Sequence, residues 1–180
     1  MAQIHMIEGP VGAGKSTFAI ALGKRHRSPP LILDDWMATL FRADRPASDF
    51  MAWYAERKQR CIDQIWKLAV GLLDLDSDAI LELGLVQRAD RTRFYERIAA
   101  AGSAFTVYVL DAPPAVRRQR VRRRNREKGN TYVMEVSDEV FELASSLWEP
   151  PEEAECAGRD IRFLSTDGTN AVQRSEWPKG

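Results

Sequence analysis

Hydrophobic residues along this chain fall into five short runs, separated by stretches of helical periodicity. Residues 4–7 form a short, largely apolar run, interrupted by His5, that leads into Glu8-Gly9, as a buried strand entering a glycine turn does. Phe18, Ala19, Ala21 and Leu22 then recur at helical spacing and predict a helix over 15–26. Ser28-Pro29-Pro30 breaks it, and residues 31–33 read as a second buried strand running into Asp34-Asp35. A short helix is expected over 37–42, and a long one over 49–73 carrying Trp53, Ile62, Ile65, Trp66 and Ala69. Residues 79–83 form the third strand and 88–101 the next helix. The run at 105–110 is the clearest strand, rich in β-branched and aromatic residues. A very basic helix follows Asp111-Ala112-Pro113-Pro114 and fades around Gly129-Asn130. A shorter helix over 137–147, capped by Ser137, stops at Trp148-Glu149-Pro150-Pro151. The last strand is residues 161–164. Apolar strands alternating with helices predict an α/β fold, a parallel sheet covered on both faces.

Composition narrows the class. With 180 residues, 44% apolar and 29% charged, the chain suits one soluble domain with a real core, expected over 1–169 with a flexible tail over 170–180. Its formal net charge is zero, so the whole molecule has no built-in pull toward nucleic acid or an anionic membrane. Two cysteines without CxxC spacing argue against a disulfide framework or a zinc site. The N-terminus has no signal-peptide pattern, and no stretch is apolar for long enough to span a bilayer. A cytoplasmic protein, monomeric or homodimeric, is the expectation.

The chemistry starts at Gly9-Pro10-Val11-Gly12-Ala13-Gly14-Lys15-Ser16, which fits G-x-x-x-x-G-K-[ST] at every fixed position. A loop that wraps a phosphate must turn consecutive backbone N–H groups inward, and residues without a clashing side chain allow that. The helix after it adds its N-terminal N–H groups and positive dipole end. Gly9, Gly12, Ala13 and Gly14 are therefore expected to cradle ATP. Lys15 is assigned to the β- and γ-phosphates, Ser16 to Mg²⁺ and Thr17 to the α-phosphate.

A phosphate cradle alone does not separate a kinase from a GTPase or a motor ATPase. The guanine motif N-K-x-D is absent, and the third strand ends in a single carboxylate, Glu82, rather than Asp-Glu. Glu82 is the expected second metal ligand, with Asp35 the alternative. Two further features suit a small kinase. Asp34 and Asp35 stand where the second strand emerges, at the end of the sheet that faces the ligand crevice in such folds. Asp34 is expected to take the proton of an acceptor hydroxyl, and Asp35 to cap the next helix or touch the substrate. In the basic helix, Arg117, Arg120 and Arg124 share one stripe that could close over the γ-phosphate as a lid spanning about 117–136. A shift of one turn would present Arg123 and Arg126 instead. Arg118 and Arg122 read as a solvated face.

The helices after Asp34 should wall the acceptor. Trp36, Phe41, Trp53 and Tyr54 are candidates for an aromatic floor, and Arg42, Arg45, Arg57 and Arg60 for an anion contact. Arg88, Arg91 and Arg93 follow the third strand and are expected to face the same crevice, Arg88 foremost. Core packing and solvation are the plain alternatives for these residues.

With these residues assembled, the chain resembles the small P-loop kinases grouped with phage polynucleotide kinase, zeta toxins and chloramphenicol phosphotransferase, from Ile4 to about Gly168. Asp34 looks like their strand-end base. Arg120-x-x-x-Arg124 looks like their lid signature, one arginine against adenine and the other on phosphates. Trp148-Glu149-Pro150-Pro151 is similar to a segment that follows the lid in many members. Ser165-Thr166-Asp167-Gly168 sits where they border the adenine, which makes Asp167 a nucleotide contact. The resemblance implies a three-layer P-loop sandwich with a five-stranded parallel sheet in the order 2-3-1-4-5. It also implies an ATP- and Mg²⁺-dependent kinase acting on a hydroxyl of a small molecule or an oligonucleotide end. Two rival readings stay open: a nucleotide-dependent switch without an acceptor, and a nucleic-acid binder using the basic helix.

Overall fold

The computed structural model describes residues 1–129, 131–167 and 173–174. Its centre is a sheet of five parallel strands: β1 (Ile4–Glu8), β2 (Pro30–Ile32), β3 (Ala79–Glu82), β4 (Phe105–Asp111) and β5 (Asp160–Ser165). Their spatial order is β2-β3-β1-β4-β5, as expected. A two-residue strand, β6 (Gln173–Arg174), runs antiparallel beside β5. It falls within the stretch expected to be a flexible tail, whose other residues lie outside the described ones, as do Gly168 and Asn130.

Parallel strands need crossovers, and helices supply them on both faces. Alternation along β1 shows how the layers divide. Ile4 and Met6 face one core with Leu81, Val107, Met37, Ile65, Phe94 and Ile98. That face packs α2 (Leu33–Phe41), α3 (Phe50–Asp74) and α4 (Arg88–Ala100). Ile7 faces a smaller core with Ala19, Leu22, Ile32, Ile80 and Leu110, built on α1 (Lys15–His26). The remaining helices, α5 (Pro114–Glu127), α6 (Asp138–Ser146) and the unforeseen four-residue α7 (Glu153–Cys156), fill the chain between β4 and β5.

Two local differences from the sequence reading matter for the site. Leu33 opens α2 instead of closing β2, so Asp34 and Asp35 lie in the first turn of a helix that starts as the strand ends. The flanking residue is Ile32 and no side chain caps the helix, so the cap expected of Asp35 does not form. Both carboxylates still gain from the positive end of the helix dipole. Ser137 does cap α6, its hydroxyl accepting from the Val140 backbone N–H at 3.3 Å. Among the described residues, no helix is long and apolar enough to cross a membrane.

Candidate active site

β1, the glycine loop and α1 follow one another without a break. Gly9 and Gly12 have positive φ of 140° and 78°. A Cβ on Gly9 would lie 2.1 Å from the Leu110 carbonyl, and one on Gly12 would lie 2.7 Å from that of Arg117. The loop is thus pressed between the end of β4 and the start of α5, a fit open to glycine alone. Lys15 folds its Nζ back onto the Pro10 carbonyl at 3.0 Å.

At the foot of this loop the Ser16 hydroxyl donates to Glu82 Oε2 at 2.9 Å. Glu82 ends β3 and is 4% exposed, and burial pushes its carboxyl pKa up. The Lys15 charge opposes that rise, while Asp34 and, more weakly, Asp35 reinforce it. Lys15, Ser16, Asp34, Asp35 and Glu82 therefore share one electrostatic neighbourhood at the carboxyl end of the sheet. A hydroxyl and a carboxylate 2.9 Å apart are hard oxygen donors, and they fit Mg²⁺, which binds through few protein ligands and keeps waters and phosphates for the rest.

Asp34 and Asp35 are both exposed. Burial and then the neighbouring Asp34 charge raise the Asp35 pKa. Behind them, the Tyr54 hydroxyl is pushed up to about 12 by burial and then by Asp34. Asp35 and Arg42 line one open cleft of about 450 Å³ with Ala38, Thr39, Tyr132 and Val133, and Arg42 also donates to the Val133 carbonyl. Here α2 meets the segment that follows the basic helix.

Other acceptor-side candidates are placed differently. Trp36, Phe41 and Tyr54 pack against the larger core. The Arg57 guanidinium lies 4.7 Å from the Trp53 ring centre and pairs with Glu56, and Arg45 stacks on Phe50. Arg88 is strapped to the 148–152 segment: its N–H donates to Glu149 Oε2 at 2.7 Å and its side chain pairs with Glu152. Arg91 does not face the crevice; it is fully buried, with Nε and Nη2 on the two Glu155 oxygens at 2.6 and 2.9 Å. Arg93 is largely exposed beside Asp90.

The basic helix divides by face. Arg117, expected on the lid stripe, is instead a buried fastener that donates to the carbonyls of Ala112 and Val11, each at 3.0 Å, the second inside the glycine loop. Arg118 pairs with Glu142 and Arg122 with Asp138, so the face read as solvated is matched by acids on α6. Arg120 Nη1 donates to the Thr166 hydroxyl at 2.9 Å. That hydroxyl also lies 2.9 Å from the Ala13 carbonyl, linking α5, the β5 exit and the glycine loop. Exposed Asp167 is the next residue. Arg124 carries a buried Nε with no hydrogen-bond partner among the described residues.

Two groupings had no role of their own from sequence. Thr166, placed there only within the adenine-bordering segment, is one; its signal was a small hydroxyl residue where the last parallel strand leaves the sheet. The other is a buried cluster behind the loop. Glu8, the residue before Gly9, accepts from the Tyr95 hydroxyl at 2.7 Å and lies 3.6 Å from Arg91 Nε. Burial pushes its pKa up to about 8, because Arg91 is already claimed by Glu155 and offsets little of the lost hydration.

The family model described as AAA domain matches residues 4–151, and the chain belongs to that family. Among curated proteins none matches it. Several solved structures share the fold at low identity. A candidate kinase from Chloroflexus aurantiacus is 18% identical with a TM-score of 0.71, over 95% of this chain and 91% of that one. A sugar kinase from Janibacter is 15% identical with a TM-score of 0.59, over 92% and 86%. The APS kinase of Mycobacterium tuberculosis, solved with AMPPNP and APS, is 19% identical with a TM-score of 0.55, over 92% and 89%.

Proposed function

With membership of the AAA-domain family as the premise, we propose that this chain is a P-loop kinase moving the γ-phosphoryl group of ATP to a hydroxyl of a small molecule. The observation that carries the reading is the meeting of Lys15, Ser16, Glu82 and Asp34 at the carboxyl end of the sheet. A phosphate loop, a pair of hard metal donors and an exposed carboxylate on the acceptor side are the parts such a transfer needs.

In this reading the loop N–H groups and Lys15 hold the phosphates, and Ser16 and Glu82 hold Mg²⁺. The metal would supply charge neutralisation at the β- and γ-oxygens. Asp34 accepts the proton as the acceptor oxygen bonds to the γ-phosphorus and the bond to the β–γ bridging oxygen breaks. Asp35 and Arg42 orient the acceptor. Arg120, Asp167 and Thr17 touch the nucleotide, and Arg124 supplies positive charge to the transferring phosphate. The size of the cleft suits a small molecule. Pairing of Arg118 and Arg122 with acids on α6 favours that over a nucleic-acid track.

The test is acceptor-dependent ATP consumption with Mg²⁺, read by product mass, over sugars, sugar acids, nucleosides and 5′-hydroxyl oligonucleotides. Asp34→Asn is expected to lower turnover about 10²–10⁴-fold with nucleotide affinity retained. Hydrolysis that needs no acceptor and survives Asp34→Asn would sink the kinase reading and favour the switch.

A further inference from the structure

The two histidines of the chain are both at the other end of the sheet, and nothing in the proposed chemistry uses them. His5 is the second residue of β1, His26 the last of α1, and Asp78 immediately precedes β3. α1 runs away from the glycine loop for 12 residues, which sets this place about 16 Å from the phosphate site. His26 Nδ1 lies 2.7 Å from Asp78 Oδ2, and His5 Nε2 lies 3.6 Å from the same oxygen. One ligand atom from each residue falls within 4.8 Å of the others. His5 is 1% exposed, and its Nε2, 3.6 Å from this carboxylate, is buried without a hydrogen-bond partner among the described residues.

From this geometry we infer that His5, His26 and Asp78 form a site for a first-row divalent transition metal of the Zn²⁺ type. Two imidazoles and one carboxylate are the donor set such ions take, with a fourth position for water. Metal–ligand bonds of about 2.0–2.1 Å put tetrahedral ligand atoms about 3.4 Å apart. The His5–Asp78 separation already meets that. The His26–Asp78 pair has only to open by less than an ångström, and both side chains are partly exposed, at 23% and 21%.

The surroundings supply what a metal site needs beyond its ligands. The Tyr108 hydroxyl lies 3.4 Å from His5 Nδ1 and its ring stacks on His5 at 5.9 Å, fixing the imidazole from its far side. Asp78 Oδ1 is held by the Gln3 N–H at 2.8 Å, which leaves Oδ2 for the ion. An ion here joins the C-terminal end of α1 to β1 and β3. It therefore clamps the far end of the helix whose near end forms the phosphate loop. This site stands whether or not the kinase reading does.

The test uses untagged, chelator-treated protein titrated with Co²⁺, whose visible absorption reports four-coordinate binding, with Zn²⁺ as the displacing ion. One equivalent is expected, displaced by Zn²⁺ and not by excess Mg²⁺, and accompanied by a rise in Tm. His26→Ala and Asp78→Asn, both at partly exposed positions, should each weaken binding more than about tenfold. Ser16→Ala should leave it unchanged. Lack of Co²⁺ and Zn²⁺ binding to the wild type, or binding that survives His26→Ala and Asp78→Asn, would overturn the assignment. So would a thiolate-to-metal absorption band, which would place the ion on Cys61 or Cys156 instead.

Discussion

Glu8 and Glu82 finish neighbouring strands, both are buried, and burial raises the pKa of both, yet they serve opposite ends. The pleat separates them. Glu82 shares the α1 side of the sheet with Ile80 and meets a hydroxyl and a lysine of the glycine loop. Glu8 shares the α4 side with Met6 and is closed in by Tyr95, Arg91 and Glu155. At the mouth, Glu82 and the Ser16 hydroxyl meet near the exposed Asp34 and Asp35, where the proposed function puts phosphates and metal. In the cluster behind it, polar groups pair with one another, save Glu8 Oε2, which has no hydrogen-bond partner among the described residues. Truncation at the mouth should therefore cost turnover, and truncation in the cluster should cost stability.

Arg91→Ala should break that contrast most forcibly. It leaves Glu155 buried without its bidentate partner, a loss of about 3–5 kcal/mol. For a chain of this size that corresponds to a Tm lower by about 10 °C. Nucleotide affinity, measured well below the new Tm, should stay at the wild-type value. A Tm within about 2 °C of wild type would show that the cluster carries no structural weight.

Glu8→Gln sharpens the comparison through pH. The folded-state pKa of Glu8 is raised from 4.5 to about 8. Between those values the native chain keeps a proton that the unfolded chain has released. The group's contribution to stability is thus complete below pH 4.5 and is lost as pH rises through about 8. Glutamine is neutral throughout and can still accept from Tyr95. The variant should therefore gain on wild type by up to about 1.4 kcal/mol per pH unit across this window. Parallel stability–pH curves from denaturant melts at several pH values would refute a protonated Glu8.

The strand run at 4–7, the glycine spacing and the helix over 15–26 were legible because each is local: apolar runs, positive-φ glycines and helical periodicity need no distant partner. Asp34 was singled out for the same reason, as a carboxylate at a strand exit, and it lies in the first turn of α2. What escaped depended on contacts across the chain. Arg91 and Arg117 read as crevice or lid arginines, yet Glu155 lies 64 positions from the first and the Val11 carbonyl 106 from the second. A guanidinium gives no sign in sequence of whether it will meet solvent, substrate or a buried acid. The histidine pair was equally silent, because residues 5, 26 and 78 converge only once β1, α1 and β3 are stacked.

Thr166→Val offers the smallest and finest test of where the two regions part. The Thr166 hydroxyl joins the Ala13 carbonyl of the glycine loop to Arg120 of α5, and valine keeps its shape without those bonds. If the contact were structural, as in the Arg91 cluster, losing it would appear as about 1 kcal/mol of stability with nucleotide binding untouched. Because Thr166 contacts the loop to which the proposed function gives the phosphates, the cost should appear in binding instead. ATP affinity is expected to fall several-fold by calorimetry while the Tm moves by no more than a few degrees. The distinction holds because Arg120 keeps a second contact, to the Thr166 backbone carbonyl, which valine does not disturb. α5 therefore stays anchored, and only the contact between the Arg120 guanidinium and the glycine loop is loosened.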